Sequence, residues 1–455
     1  MKRIQTWLGT HRTARLLQTA AILRSMCQGI GVVALTLYLK ELGWSGGAVG
    51  ELLVAAGLFR AVMAAFAGEL NAFLGPKRYM LLWETVLAVS LLAITWTANP
   101  AALCCAAVAS GFGRGHAGSG GPSAAVERKW LIACSGKAYS RALGVHAFAG
   151  YIGMGAGAML AALTPLWQHA LPGAMQFRPL FAAAFALAAG CTLVIAAIAG
   201  GERKAAAPAG ARTPKRMGAP GADGTGAAPA KPLSGFVHLL NGMAAVMATT
   251  LTSYWLSAKF GASPEMISLV LAASYGGAAA SALLNIRLAE RVGTHRTVVC
   301  MQLGGIVFAL LLPWSPSFGL AALLVAGCTA CNLGTRASRT DAAVQTRTER
   351  GQTSAQLWLY RAKSLLLRFG ILLWPGAFGH MIDRGHWALP FYIAAAVQLA
   401  TTCWYIRSHD LRSPPRRSEP AAAAPTEGAD RADAAAEPPA ETMPGAGNVP
   451  LKSGT

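Results

Sequence analysis

The residues of this sequence with chemistry to do are the charged side chains inside its long apolar runs. Arg24, Arg60, Glu84, Arg114, Arg361, Lys363 and Arg368 all sit in such runs, and Glu51 lies near the end of one. An ionised group in hydrocarbon is costly, so each must meet a partner, face a wet cavity or reach the surface. Arg60 is too deep in its run to snorkel easily. Arg361, Ser364 and Arg368 are spaced i, i+3, i+7 and share one helical face. A pathway holding more cations than anions favours an anionic solute. Two plainer uses remain open: Arg24 and Arg60 pairing with Glu84 or Glu51, and Arg361 and Lys363 anchoring a helix end. For proton exchange the candidates are Glu84 and His146, with His116 behind them. Gln28, Asn241, Tyr254 and Gln302 are neutral polar groups that could join Arg24, Arg60, Arg361 and Arg368 in contacting a solute.

Such residues need long apolar helices to hold them. The 455 residues are 54% hydrophobic and only 13% charged, about half the charged share of a soluble globular chain. Mean hydropathy is +0.42. The formal net charge of +20 would suggest nucleic acid in a soluble protein. Here most of the basic residues fall in alternate connections between apolar runs, as the positive-inside rule requires, and the nucleic-acid reading loses its support. The nine cysteines lie mostly within apolar runs and lack flanking His or acidic clusters, so no disulfide framework or metal site is expected. No cofactor is implied either, since the chain has no Walker-type phosphate loop.

The stretch 202–234 is rich in Ala, Gly and Pro with scattered basic residues, and reads as a flexible cytoplasmic linker. On each side six runs are long enough to cross a bilayer. They fall at roughly 17–40, 46–70, 79–98, 100–123, 142–165 and 179–200, then 235–257, 264–287, 297–315, 317–338, 358–381 and 387–407. The expected organisation is a cytoplasmic N-terminus (1–16), a six-helix bundle (17–201), the linker, a second six-helix bundle (235–407) and a disordered cytoplasmic tail (408–455). The first run follows a basic N-terminus without a small-residue cleavage site, so it is read as a retained span. An all-α membrane protein of twelve transmembrane helices in two pseudo-symmetric bundles follows, with both termini in the cytoplasm of a cell that holds it in its plasma or inner membrane.

Repeated motifs sharpen this. Between the second and third runs stands GELNAFLGPKR, with Gly68, Leu70, Gly75, Lys77 and Arg78; the matching place in the second half reads LAERVGTHR, with Leu288, Glu290, Arg291, Gly293 and Arg296. These resemble the G-x-L-x-D-R-x-G-R-R loop of the major facilitator superfamily, with Ala72 and Phe73 in place of the acid and arginine of the first copy. The resemblance implies a gating loop that locks neighbouring helices on the cytoplasmic side. In the fourth run Arg114, Gly118 and Gly120 resemble that family's R-x-x-x-G-x-G motif, which implies a part for Arg114 in proton coupling. In the fifth, Gly150, Gly153 and Gly157 resemble its glycine-rich antiporter motif, with Ala158 where the family has proline. Small residues at this spacing also serve tight helix packing.

The resemblance covers Leu17 to Arg407 and implies a secondary transporter working by alternating access, similar to twelve-helix drug:proton antiporters. The expected activity is efflux of a small drug-like or natural-product-like molecule against inward proton flow, by a monomer in the lipid bilayer. Import or facilitated passage of a small anionic metabolite is the alternative on the same fold. A membrane enzyme or receptor is disfavoured, because the runs hold no cluster of catalytic or metal-ligating residues.

Overall fold

The computed structural model describes residues 12–112, 122–135, 139–198, 244–245, 247–336 and 372–408. The described part is helical, with no strand among the described residues. Helix α1 runs Arg12–Glu41, some 45 Å at 1.5 Å per residue, and is followed by α2, Gly46–Ala65. A short helix α3 (Ala67–Leu74) leads into α4 (Pro76–Trp96). Next come α5 (Pro100–Ser110), α6 (Ala124–Ser135), α7 (Tyr139–Ala161) and α8 (Arg178–Ala196). Farther along the chain lie α9 (Thr252–Phe260), α10 (Pro264–Val292), α11 (Thr294–Leu311) and α12 (Phe318–Gly334). Helices α13 (Trp374–Asp383) and α14 (Leu389–Ser408) complete the series. Eight of the described segments are long and apolar enough to cross a membrane, and each of the twelve expected spans overlaps a described helix, the fourth, seventh and eleventh only in part.

Local sequence sets many of the ends. Proline stands in the first turn of α4, α5, α8, α10 and α13, where its missing N–H would have no partner anyway. Asn99 caps α5 by accepting from the N–H groups of Ala101 and Ala102, and Ser45 caps α2 by accepting from that of Ala48. The two charged turns of the motif are shorter than expected. GELNAFL is itself helical as α3, Leu288–Arg291 continue α10, and each break is confined to one glycine. Gly75 (φ 77°) and Gly293 (φ 100°) both take positive φ, which a side chain would resist.

Three further departures from the sequence expectation bear on function. The fourth span, expected at 100–123, has its helix end at Ser110, where Gly111 adopts the left-handed conformation (φ 59°) that closes helices. Residues 124–135, expected as a connection, form α6, and its Trp130 and Leu131 are buried. In the seventh span, expected at 235–257, the described residues include a 3-10 turn at Met247–Thr249 followed by α9, which runs three residues past the expected end to Phe260. Leu251, at the start of α9, holds φ 52°, a costly conformation for a bulky residue. Neighbouring donors fix the irregular backbone there: Trp374 Nε1 donates to the Met247 carbonyl at 3.0 Å and Thr252 Oγ1 to that of Thr249 at 2.9 Å.

The apolar core is continuous across the halves, joining Ile30 and Val33 of α1 to Tyr151 of α7, Trp255 of α9, Ala278 of α10 and Phe378 of α13. Close approach rests on glycine. A Cβ at Gly153 would stand 2.7 Å from the Ile22 carbonyl oxygen, and one at Gly157 would collide with that of Met26, so α7 lies directly on α1. Gly150 is buried in the same helix. Against α10 the same helix presents Gly155, whose Cβ would sit 3.3 Å from the Ala272 oxygen.

Candidate functional site

Three charges from three helices meet inside the first half. Arg24 of α1 donates through Nε to Glu84 Oε1 of α4 at 2.5 Å and through Nη1 to Glu127 Oε2 of α6 at 2.6 Å. All three side chains are almost wholly buried. Oε2 of Glu84 and Oε1 of Glu127 have no hydrogen-bond partner. With both carboxylates ionised the cluster carries one positive and two negative charges, a net negative charge in a site with almost no water contact. Taking such a group out of water is expensive, and the two hydrogen bonds from the Arg24 guanidinium offset part of that cost.

His146 of α7 stands near this cluster. It is buried, neither ring nitrogen has a partner, and Glu127 is the foremost anion acting on it, with Arg24, Arg128 and Arg336 as nearby cations. A buried imidazole lacking both hydrogen bonds is unusual, because an unsatisfied polar group costs about 1–3 kcal/mol. Gln28, one turn along α1 from Arg24, is also buried with a free carbonyl oxygen.

Sequence reasoning placed Glu84 and Arg24 in the membrane and left their pairing open; it missed Glu127. The missing signal was there. Val126, Glu127, Trp130, Leu131 and Cys134 follow helical spacing, so the acid lies on an apolar stripe, which a solvated connection would not show.

Arg60 has a different task. Its Nη1 donates to the Gly111 carbonyl at 2.9 Å, at the end of α5 where helix carbonyls lack partners and the dipole is negative. The guanidinium packs so closely that a Cβ on Gly111 would strike Arg60 Cδ. Tyr254 is buried on α9, with Lys40 Nζ 5.9 Å from its ring centre. In the motif loops, Lys77 Nζ donates to the carbonyls of Ala196 and Ile198 at 2.7 and 2.6 Å, capping the end of α8 just before the linker. Gly68 lies on α3; Arg78, Arg291 and Arg296 are exposed, and Glu290 belongs to α10. Arg114 and its glycines, Asn241, Arg361 and Arg368 lie outside the described residues, as do the linker and tail.

The second half holds a neutral cluster at the matching register. Gln302 follows Gly293 by the same nine positions that separate Glu84 from Gly75. Gln398 Nε2 donates to Asn332 Oδ1 at 2.7 Å and to the Gln302 carbonyl at 3.3 Å, while Thr402 Oγ1 donates to Gln302 Oε1 at 3.3 Å. Gln302 thus stands where the first half has Glu84, and Gln398 and Thr402, which bond to it, are neutral.

The model of the Major Facilitator Superfamily matches residues 234–440. No curated protein matches the chain in sequence. Among solved structures, the xylose transporter XylE from E. coli is similar with a TM-score of 0.64 at 10% identity, covering 86% of this chain and 97% of that one. The nucleoside transporter NupG gives 0.57 at 14%, covering 86% and 98%. The human organic anion transporter MFSD10 gives 0.53 at 18%, covering 86% and 99%. At these identities the likeness establishes the fold, which is the all-α membrane fold of major facilitator transporters.

Proposed function

We propose that this chain is a secondary transporter of the major facilitator superfamily that exports a small organic molecule in exchange for protons. The observation that carries the reading is the buried cluster of Arg24, Glu84 and Glu127. A carrier coupled to protons needs a group that gains and loses one inside the protein, and two carboxylates sharing a single guanidinium provide it. His146, with both ring nitrogens free beside Glu127, is the adjoining exchange group. Arg114, on the motif of the fourth span, is assigned to the same coupling step. The glycines that seat α7 on α1 put the antiporter-like segment directly against the helix bearing Arg24.

In this scheme the protein alternates between states open to either side, and each ligand shifts that balance only by its difference in affinity for the two. Protonation neutralises the cluster and favours one state; solute favours the other. The linker and both termini are assigned to the cytoplasm, the motif loops to the cytoplasmic gate, and the functional unit is a monomer in the cell membrane. Arg24 and Arg60 are both engaged by acceptors of the protein itself, so neither is assigned as a ligand of an anionic solute.

The experiment is proton movement in inverted membrane vesicles energised by a proton gradient. A panel of cationic, neutral and anionic compounds is added, and dissipation of the gradient is followed. Release by one class, abolished in Glu127→Gln and in Arg114→Ala, supports exchange. No release by any compound, together with gradient-independent uptake of an anion into whole cells, replaces it with import of an anionic metabolite.

A further inference from the structure

At the face of the bundle where α1 turns into α2, the start of α2 meets the end of α13. Both oxygens of Asp383 accept hydrogen bonds there, from Gly46 N–H at 2.8 Å and from Gly47 N–H at 2.6 Å. These are the first two N–H groups of α2, which have no partner within the helix and lie at its positive end. Ser45 satisfies the third within its own chain segment. The α2 terminus is therefore capped partly from its own half and partly from the other.

The contact is built for closeness. Cβ atoms at Gly50 or Gly379 would collide with the carbonyls of Pro375 and Gly46, and one at Gly47 would lie 2.5 Å from the His380 ring. Beside it His380 Nε2 and Glu51 Oε1 stand 2.7 Å apart. That pair is largely exposed and contributes little. Toward the interior, Lys40 Nζ donates to Ser257 Oγ at 2.7 Å, Thr36 and Ser253 hydroxyls lie 2.8 Å apart, and Ser253 donates to the Val32 carbonyl at 2.9 Å. Every one of these bonds joins a residue before the linker to one after it.

We propose that Asp383 is a gate residue: it holds this face closed by capping α2 across the two halves, and must let go for the path to open there. The proposal rests on the transporter reading in requiring that the halves separate and that this face is the one opposite the cytoplasm. Accessibility reads that separation without substrate or proton gradient, so it fails or stands apart from the exchange reading.

The test uses Ser253→Cys, a buried position beneath the contact, labelled in intact cells by a membrane-impermeant maleimide. Labelling in the same variants without Ser253→Cys is subtracted to remove the native cysteines. With Asp383 in place labelling is slow. Asp383→Ala is expected to raise the rate about fivefold, the usual effect of losing a helix cap on a two-state balance. Asp383→Asn, of the same size but with a donor NH2 facing one of the N–H groups it formerly accepted from, is expected to raise the rate in the same direction. Asp383→Glu, which keeps the carboxylate, returns the rate toward the starting value. Unchanged labelling in Asp383→Ala and Asp383→Asn overturns the proposal. So does labelling in Asp383→Glu as fast as in Asp383→Ala, since the effect would then be a general loosening. If Asp383→Ala does not reach the membrane, Asp383→Asn decides the matter alone.

Discussion

Removing one member of the buried cluster has opposite consequences depending on which member goes, and charge counting fixes the difference. Arg24→Ala leaves Glu84 and Glu127 buried without the guanidinium that pairs with both. Breaking a buried pair in this way costs about 3–5 kcal/mol, because an uncompensated charge remains. Glu127→Gln leaves Arg24 and Glu84 as a balanced pair, and the amide oxygen can still accept from Nη1. Only the difference between a charged and a neutral acceptor is lost, about 1 kcal/mol. The two variants should therefore differ by about 2–4 kcal/mol. Thermal unfolding of the purified proteins in detergent, scanned at one rate, is expected to rank Arg24→Ala far below Glu127→Gln, with the latter near the parent. Proton-linked transport should be lost in both. If Glu127→Gln unfolds as early as Arg24→Ala, the second carboxylate is a structural necessity and the cluster holds no exchangeable proton.

Other expectations follow from single contacts. Gly157→Ala places a methyl against the Met26 carbonyl and should cost about 1–3 kcal/mol by overpacking, seen as earlier thermal unfolding; an unchanged midpoint would show that α1 and α7 are not in contact as described. Arg60→Ala removes the donor to Gly111 at the end of α5 and should cost about 1.5–3 kcal/mol, with partial recovery in Arg60→Lys. Solute affinity measured by competition binding should stay within about twofold in Arg60→Ala, because the side chain is engaged by backbone. A large loss of affinity there would return Arg60 to the solute path.

The sequence was most legible where periodicity and punctuation acted alone. Apolar length located the eight described segments long enough to cross a membrane, and Gly75 and Gly293 marked both sharp turns because only glycine accepts their φ without strain. Glu84 and Arg24 stood out as charges in hydrocarbon. What the sequence did not show is set by contacts between distant segments. Glu127 sits 103 positions from Arg24, in a segment dense enough in charge, Glu127-Arg128-Lys129, to pass for a solvated connection. Asp383 follows the eleventh span like any loop acid, and nothing local says that it caps a helix 336 positions earlier. Arg60 has the composition of a ligand and the position of a cap. Its partner is a backbone oxygen, which carries no residue-type signal at all.

Helix α1 links the two proposed devices. Arg24 binds it to α4 and α6 within the first half, while Thr36 and Lys40 bind it to α9 across the halves. The two sets of contacts are separated by roughly 24 Å of continuous helix, the 16 residues from Arg24 to Lys40 at 1.5 Å each. A proton taken up by the cluster can bias the gate only if the cluster's energy differs between the two states. The size required is modest. A helix cap contributes about 1 kcal/mol, and one pH unit across the membrane supplies about 1.4 kcal/mol per proton. A single exchangeable proton is thus of the same magnitude as the cap that Asp383 contributes to the gate. A gate held by several buried ion pairs would resist it. The exposure of the His380 and Glu51 pair therefore suits the scheme, since a pair half in water adds little to what the proton must overcome.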